Sequence, residues 1–390
     1  MAIRIPESAS DVSEEWLTAT LRESGYLSKD NSVVSVEGDS HGAGLGYLSE
    51  IERIRISYLR EESDAPGVVI AKFPTSSEKS RALATLFDSY SREVLFYKEL
   101  ASSVEVAIPR CFWADIAPET FSERLTGRIV KLLPEKMLVG LLDKLLAGAG
   151  TSSRRSGLLL EDLSGDRVGD QVEGCNLEEA QAALRSLAKF QSTFWGRSFD
   201  EVPWIHNGAY QSQVQHGLFM KALPTYMEVF KDDIDEQTSK QLDWLIDNGA
   251  ALLEANNTHA TLNHGDFRLD NLFFQSNGED PILIDFQTVN VFNPMADVAY
   301  FLLPNLNDEA QKSVSDLVRF YWDALTDNGV SDYSWEDCQK DYDLAQWWLV
   351  HRGVILIGLI DFSHPRGSLL IETAVRRGLR AGLSRLPLPW

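Results

Sequence analysis

Three cysteines are all that 390 residues carry, Cys111, Cys175 and Cys338, far apart and with no CxxC pair. That excludes a disulfide framework and a zinc ribbon, and leaves the three thiols as reduced packing residues. Long apolar runs are also missing. The longest, Gly353 to Ile360 (GVILIGLI), is bracketed by Arg352 and Asp361 and falls far short of the roughly 20 residues a membrane helix needs. The first thirty residues have no basic start followed by an apolar block, so no secretion signal is expected and the expected location is the cytoplasm. Positive charge is scarce: 36 Lys and Arg stand against 58 Asp and Glu, a formal net charge of −22. A nucleic-acid partner is thereby excluded, because such binding draws on Lys and Arg replacing counterions along the phosphates. Acidity raises one further expectation, a cationic substrate, against the plainer reading of a solvated acidic face.

What the chain does have is apolar mass. At 44% hydrophobic and 10% aromatic residues it can bury a substantial core, and its length suits two or three domain-sized units. Residues 11–24 read as a short amphipathic helix with an acidic first turn. Segments 33–38, 48–58 and 68–73 are rich in β-branched residues, and the middle one alternates apolar with polar as a half-buried antiparallel strand does. A helix is expected over 78–101, a strand over 110–116, a helix over 135–149 and a buried strand over 158–163. Beyond 164 the apolar spacing is helical at 177–196, 210–231, 236–255, 309–327 and 337–360, interrupted by a strand-rich insert at 260–290. This order predicts an α+β architecture of two lobes, a small antiparallel β-rich one over 1–160 and a larger, mainly helical one over 161–390, with a ligand cleft between them.

The chemistry concentrates in Leu262 to Phe274 (LNHGDFRLDNLFF) and Pro281 to Gln287 (PILIDFQ). Two short apolar strands, Leu272 to Phe274 and Ile282 to Ile284, flank a turn at Ser276 to Asp280 and predict a hairpin. Pairing them brings Asp266, Asn271 and Asp285 to one end. Two carboxylates and an amide oxygen there make a hard oxygen site suited to magnesium held together with phosphates, and a carboxylate can orient an attacking hydroxyl. Taken singly, each of these residues reads equally well as a turn cap.

The pattern His264-x-Asp266-x-x-x-x-Asn271, then Asp285 a strand later, resembles the catalytic loop and metal-binding Asp of the protein-kinase-like superfamily. HGDFRLDN, IDFQ and Pro294-x-x-Asp297-x-Ala299-Tyr300 together are similar to the aminoglycoside phosphotransferase and choline kinase group, and IDFQ…DVAYFL is closest in spelling to ecdysteroid-kinase-like proteins. The resemblance covers roughly residues 36–305. It implies a protein-kinase-like fold, ATP and Mg2+, Asp266 as catalytic base or hydroxyl-orienting residue, and Asn271 and Asp285 as metal ligands. Arg268 would neutralise charge on the transferred phosphate, the alternative being an ion pair with Asp270. His264 is expected to hold the loop by hydrogen bonding. Asp297 is expected to cap the following helix or brace the loop backbone.

On the nucleotide side, Gly42, Gly44 and Gly46 lie between two predicted strands, where backbone amides can approach phosphates without a Cβ in the way. Lys72 sits inside the apolar strand VVIAKF, where an ammonium group needs an anionic partner. Glu93 stands at the spacing of the phosphate-positioning Lys and Glu pair of kinases, with Glu99 and Asp88 as competitors. Glu161 and Leu163 fall in the hinge that the resemblance assigns to the purine edge. The segment 117–156 is longer than the family pattern leads one to expect, and reads as a lid, a dimer contact or a surface insertion. Asp285 and Asp297 are too close in sequence for an activation segment and peptide platform, which favours a small-molecule hydroxyl acceptor over a protein. Trp195, Trp204, Trp244, Trp347 and Trp348 are candidates for core or for an acceptor wall, as are Asp361 and His364 for acceptor contacts. The expected function is therefore phosphoryl transfer from ATP to an amino sugar, amino alcohol or steroid-like alcohol, by a monomer or homodimer. A catalytically inactive nucleotide-binding regulator of the same fold is the competing reading, and a protein kinase a third.

Overall fold

In the computed structural model, residues 3–39, 48–121, 123–125, 133–150, 152, 154–210, 212–257, 259–359, 365–380, 386 and 389 are described. Gly42, Gly44, Gly46, Asp361 and His364 lie outside that set.

Five antiparallel strands form the N-terminal sheet: β1 (Val33–Asp39), β2 (Ser49–Tyr58), β3 (Val68–Pro74), β4 (Cys111–Ile116) and β5 (Ser156–Glu161), in the order β1-β2-β3-β5-β4. The alternation seen in β2 holds, with Ile54 and Ile56 buried and Arg55 and Ser57 exposed. Helix α1 (Glu14–Glu23) starts where the Ser13 hydroxyl accepts the Trp16 N–H at 3.2 Å, satisfying one of the free N–H groups of the first turn. Its Leu17 and Leu21 join Ile54, Val69, Ala71 and Leu159 in a core on one face of the sheet.

The helix expected over 78–101 is interrupted. Helix α2 (Glu78–Leu86) ends at Phe87, and α3 (Ser89–Leu95) begins after Asp88, whose φ of +56° lies in the left-handed region that Asp tolerates better than most residues. A π-helical turn over Phe96–Leu100 then continues α3. The helix expected over 135–149 also divides, into α4 (Glu135–Gly140) and α5 (Leu142–Gly150), with Gly140 just before the break at Leu141. Helix α5 packs on α2, and α4 packs on a helix of the C-terminal lobe, α7 (Ser212–Val229). The long connection thus ties the two lobes along one side of the cleft.

The remaining helices are α6 (Leu177–Thr193), α8 (Glu236–Ala255), α9 (Met295–Asn305), α10 (Val314–Asp327), α11 (Trp335–Leu359) and α12 (Pro365–Arg380). Helix α6 begins at a capping box, in which Asn176 accepts the Glu179 N–H and Glu179 the Asn176 N–H. Helix α8 begins at Asp235, which accepts the Thr238 N–H at 2.7 Å. Between α8 and α9 lie short strands: β7 (Thr261–Asn263) pairs with β10 (Asn290–Phe292), and β8 (Leu272–Phe274) with β9 (Ile282–Leu283), with β6 (Arg167–Val168) flanking β8. The predicted hairpin is present, with Leu272 opposite Leu283 and Phe273 opposite Ile282. One large core runs from Phe96 and Leu160 of the first lobe into the helices of the second. The fold is thus α+β, an antiparallel sheet lobe followed by a mainly helical one.

Candidate active site

Lys72 points from the middle of β3 into the gap between the lobes. It is buried, and its Nζ lies 2.7 Å from Glu93 on α3 and 2.8 Å from Asp285 after β9. Burial opposes its charge, yet the two carboxylates, Asp285 ahead of Glu93, raise its pKa above the usual lysine value. Burial pushes the Glu93 carboxyl up, with Lys72 pulling the other way. The competitors for Lys72 are engaged elsewhere: Glu99 accepts the Trp204 indole N–H at 2.7 Å, and Asp88 forms the turn before α3. The break at Asp88 sets the phase of α3, so that Glu93 is its inward-facing carboxylate.

Asp285 takes a φ of +69°, a backbone state that costs a non-glycine residue on the order of 1 kcal/mol or more. Its carboxylate is held from both sides, Oδ1 by Lys72 and Oδ2 by the Gln287 amide at 3.0 Å. Phe286, next in the chain, stacks on Phe96 with ring centroids 3.8 Å apart and packs against His264 at 4.9 Å. The π turn that carries Phe96 thereby ties α3 to the loop bearing Asp285.

Asp266 lies on the loop after β7, and four neighbours fix its position. Asn271 donates to its backbone oxygen at 2.8 Å and to Oδ2 at 2.9 Å. Arg268 Nε donates to Oδ2 at 3.2 Å, and the Tyr300 hydroxyl donates to Oδ1 at 2.8 Å. The Asp266 backbone N–H meets His264 Nδ1 at 3.3 Å. Burial raises the Asp266 pKa, but Arg268, Arg352 and the Tyr300 hydroxyl outweigh it and hold the carboxyl below its usual range. His264 bonds through Nε2 to the Ile284 carbonyl at 2.8 Å, and burial, opposed chiefly by Asp266, lowers its pKa and keeps it neutral.

Asp297, in the first turn of α9, does not cap that helix. Its carboxylate accepts the His264 N–H at 2.7 Å and the Gly265 N–H at 2.9 Å, so it braces the catalytic-type loop from beneath. Burial pushes its pKa up to about 7, against the pull of those two N–H groups. Gly265 is needed where it stands. Its φ is +80°, and a Cβ there would come within 2.2 Å of the Thr288 carbonyl oxygen.

Arg268 makes the ion pair with Asp270 weighed as the alternative for it, at 3.3 Å, and in addition pairs with Asp266. Glu161 and Leu163 line the same cavity as Lys72 and Asp266. The Glu161 N–H already donates to the Arg110 carbonyl at 2.9 Å, and the Leu163 carbonyl accepts from Asp166 at 2.9 Å. Trp347 is fully buried against Trp244, whereas its neighbour Trp348 lines the cavity. Two residues given no role from sequence stand beside Asp266. Tyr300 was visible as the last position of the Pro294-x-x-Asp297-x-Ala299-Tyr300 pattern, one turn after Asp297 and so on its helix face. Arg352 carried no local signal. It reaches the site only because α11 packs on α9, where its guanidinium lies 5.1 Å from the Tyr300 ring and 5.3 Å from that of Trp348.

These residues surround one cavity of about 1220 Å³ running between the lobes. Its donor set fits a hard divalent cation. Both N–H groups of Asn271 go to Asp266, which leaves the amide oxygen as acceptor beside the Asp285 carboxylate. Among the described residues no group of three or more His, Cys, Asp or Glu is arranged to hold a metal.

A comparison with curated proteins finds no match. Among solved structures the chain is similar to choline kinase from Cryptosporidium parvum Iowa II, at 12% identity and a TM-score of 0.52, with 96% of this chain and 95% of that one covered. Lower scores relate it to an amicoumacin kinase in complex with AMP-PNP and Ca2+, at 10% identity, TM-score 0.49 and 88% and 87% coverage. A crystal structure of a putative aminoglycoside phosphotransferase from Ralstonia eutropha JMP134 is similar at 13% identity, TM-score 0.48 and 95% and 97% coverage. At such identities the likeness is one of fold. The sequence profile of the ecdysteroid kinase-like family matches residues 43–330, most of the chain, and the chain belongs to that family.

Proposed function

We propose that this protein is an ATP- and magnesium-dependent phosphotransferase acting on a hydroxyl group of a small molecule. Residues 1–160 would hold the nucleotide and residues 161–390 the catalytic loop and acceptor. The observation that carries the reading is the link between the two halves of the site: Lys72 bridges Glu93 and Asp285, while Asp266 and Asn271 are joined to one another on the same cavity wall. Lys72, kept charged by its two carboxylates, is the phosphate contact, and Glu93 holds it in place. Gly42, Gly44 and Gly46 would cover the phosphates, and the backbone at Glu161 and Leu163 would meet the purine. Asn271 and Asp285 are the metal ligands. Magnesium, when bound, offsets the phosphate charge that grows on the leaving group.

Asp266 orients the acceptor hydroxyl and takes its proton. Its lowered pKa suits the first task more than the second, so positioning is the larger part of its contribution. Arg268 keeps Asp266 ionised and brings positive charge to that side of the cleft.

Asp266→Asn keeps the shape of the side chain and removes its charge. In a screen of amino sugars, amino alcohols and steroid-like alcohols with ATP and Mg2+, kcat is expected to fall by roughly 10²–10⁴. The melting temperature and nucleotide binding should be retained. Undiminished turnover by the variant refutes the role of Asp266. Nucleotide binding by the wild-type protein with no turnover of any acceptor refutes the enzyme reading.

A further inference from the structure

The chain is strongly acidic, and Asp170 and Glu173, on the loop that Arg377 of α12 holds, line the cavity, yet the helices of the half beyond Asp266 bring no acid to it. The stretches of α7, α9, α11 and α12 that line it contribute no carboxylate. What they and α3 contribute instead are two guanidinium groups, Arg352 and Arg92. Each is held by one backbone carbonyl: Arg352 Nη2 donates to Gly265 at 3.0 Å, and Arg92 Nη1 donates to Val289 at 3.3 Å. Those two carbonyls belong to loops in direct contact, since the Gly265 Cα abuts the Thr288 carbonyl. The arginines therefore converge on one region.

Neither arginine has a carboxylate within ion-pair distance among the described residues, and the buried Nε of each lacks a hydrogen-bond partner. Burial lowers the Arg92 pKa; Asp88 opposes the shift and the Arg352 guanidinium adds to it. In a chain with 58 acidic residues, two half-buried cations left unpaired in a cleft are costly unless a ligand completes them. Their forked N–H groups match carboxylate and phosphate oxygens. The aromatic faces of Tyr300 and Trp348 hold the Arg352 plane, and Tyr300 in turn reaches Asp266.

We propose that Arg92 and Arg352 form an anion-binding site in the acceptor half of the cleft, and that the substrate is an alcohol that also carries an anionic group, a carboxylate or a phosphate. The anion docks on the two guanidiniums, and the hydroxyl lies about one aromatic ring away at Asp266. This rests on the cleft being the acceptor site proposed above. It runs against the cationic substrate that net charge alone suggests.

Direct binding to the full chain tests it apart from turnover. By titration calorimetry, an ω-hydroxy fatty acid and the matching ω-hydroxy alkyl phosphate are compared with the matching ω-hydroxy amide and ω-amino alcohol, with and without AMP-PNP and Mg2+. One or both anionic probes are expected to bind at least tenfold more tightly than the amide and amine, and the ratio between the two names the anion. Arg92→Gln and Arg352→Gln should each remove most of that preference while leaving amide affinity within about twofold, and Arg352→Lys should keep part of it. Equal affinity for anionic and neutral probes, or no binding of any, overturns the proposal. So does a preference that survives both substitutions, or one that disappears when AMP-PNP occupies the cleft, which would assign the arginines to the nucleotide. If the wild-type preference holds but no probe is phosphorylated, the anion site stands and the enzyme reading is what fails.

Discussion

His351 is fully buried on α11, stacked on Phe219 with ring centroids 4.7 Å apart and planes 8° apart, and neither ring nitrogen has a hydrogen-bond partner. Burial, with a contribution from the nearby His216, lowers its pKa from 6.5 to about 3. Below pH 6.5 the unfolded chain therefore binds a proton that the folded chain refuses. The stability this His permits is intact above pH 6.5 and is lost progressively as the pH falls from there toward 3. By linkage the loss is negligible at pH 7.5 and on the order of 1 kcal/mol at pH 5.5. His351→Phe removes the titration. Its packing cost or gain, with Gly249 close by, is the same at both pH values and cancels in the difference. Unfolding entropy of about 2.1 cal/mol/K per residue over the whole chain gives roughly 0.8 kcal/mol/K, so the wild-type protein should lose on the order of 1–2 °C more between the two pH values than the variant. Paired calorimetric melts at pH 7.5 and 5.5 measure this. Equal losses in the two proteins refute a buried, neutral, unpartnered His351.

Tyr300→Phe strips one hydrogen bond from the Asp266 carboxylate. On the order of 1.5 kcal/mol of lost positioning should cut kcat about tenfold while the KM for ATP stays put, and an unchanged kcat would show that Tyr300 does not orient Asp266. Asp297→Asn retains one acceptor oxygen for two N–H donors. Hydrogen exchange at the His264 and Gly265 amides should accelerate, and kcat should fall with little change in ATP affinity; unaltered exchange at both amides would mean the loop is braced elsewhere.

Much of the fold was legible because its elements carry local signals: the acidic first turn of α1, apolar spacing in the later helices, alternation through the second half of β2, and a turn between two apolar triplets at 272–284. The breaks were not. Residues 78–101 have helical spacing throughout, and only the tertiary demand that Glu93 meet Lys72 while Phe96 meets Phe286 makes a left-handed Asp88 and a π turn worth their strain. The grouping of Asp266, Asn271 and Asp285 was legible for a related reason, since they fall within one hairpin and its flanking loops. Asp297 was legible as important, but its two possible partners, its own helix or the neighbouring loop, are separable only by distance. Arg92 and Arg352 have no such locality. One sits a residue before Glu93 and the other on a helix far along the chain, and what brings them together is α11 packing on α9 and α3 packing on the Asp285 loop.

On the proposal of an anionic alcohol, net charge is a poor guide to this site because charge acts over a limited range. At physiological ionic strength exposed charges are screened within about 8 Å, so most of the −22 carried by this chain is invisible from inside the cleft. What a ligand meets there is set by the few groups withdrawn from solvent. Around the Lys72 end of the cleft these are matched: Lys72 stands between Glu93 and Asp285, and Arg268 between Asp266 and Asp270. Beyond Asp266, Arg92 and Arg352 have no carboxylate within ion-pair distance among the described residues, and the helices lining the cavity there bring none to it. A site balanced on one side and cationic on the other, inside a screened acidic shell, gives anions no attraction at long range and holds them at contact. Selectivity of that kind should therefore show in the dissociation rate of an anionic alcohol more than in its association rate.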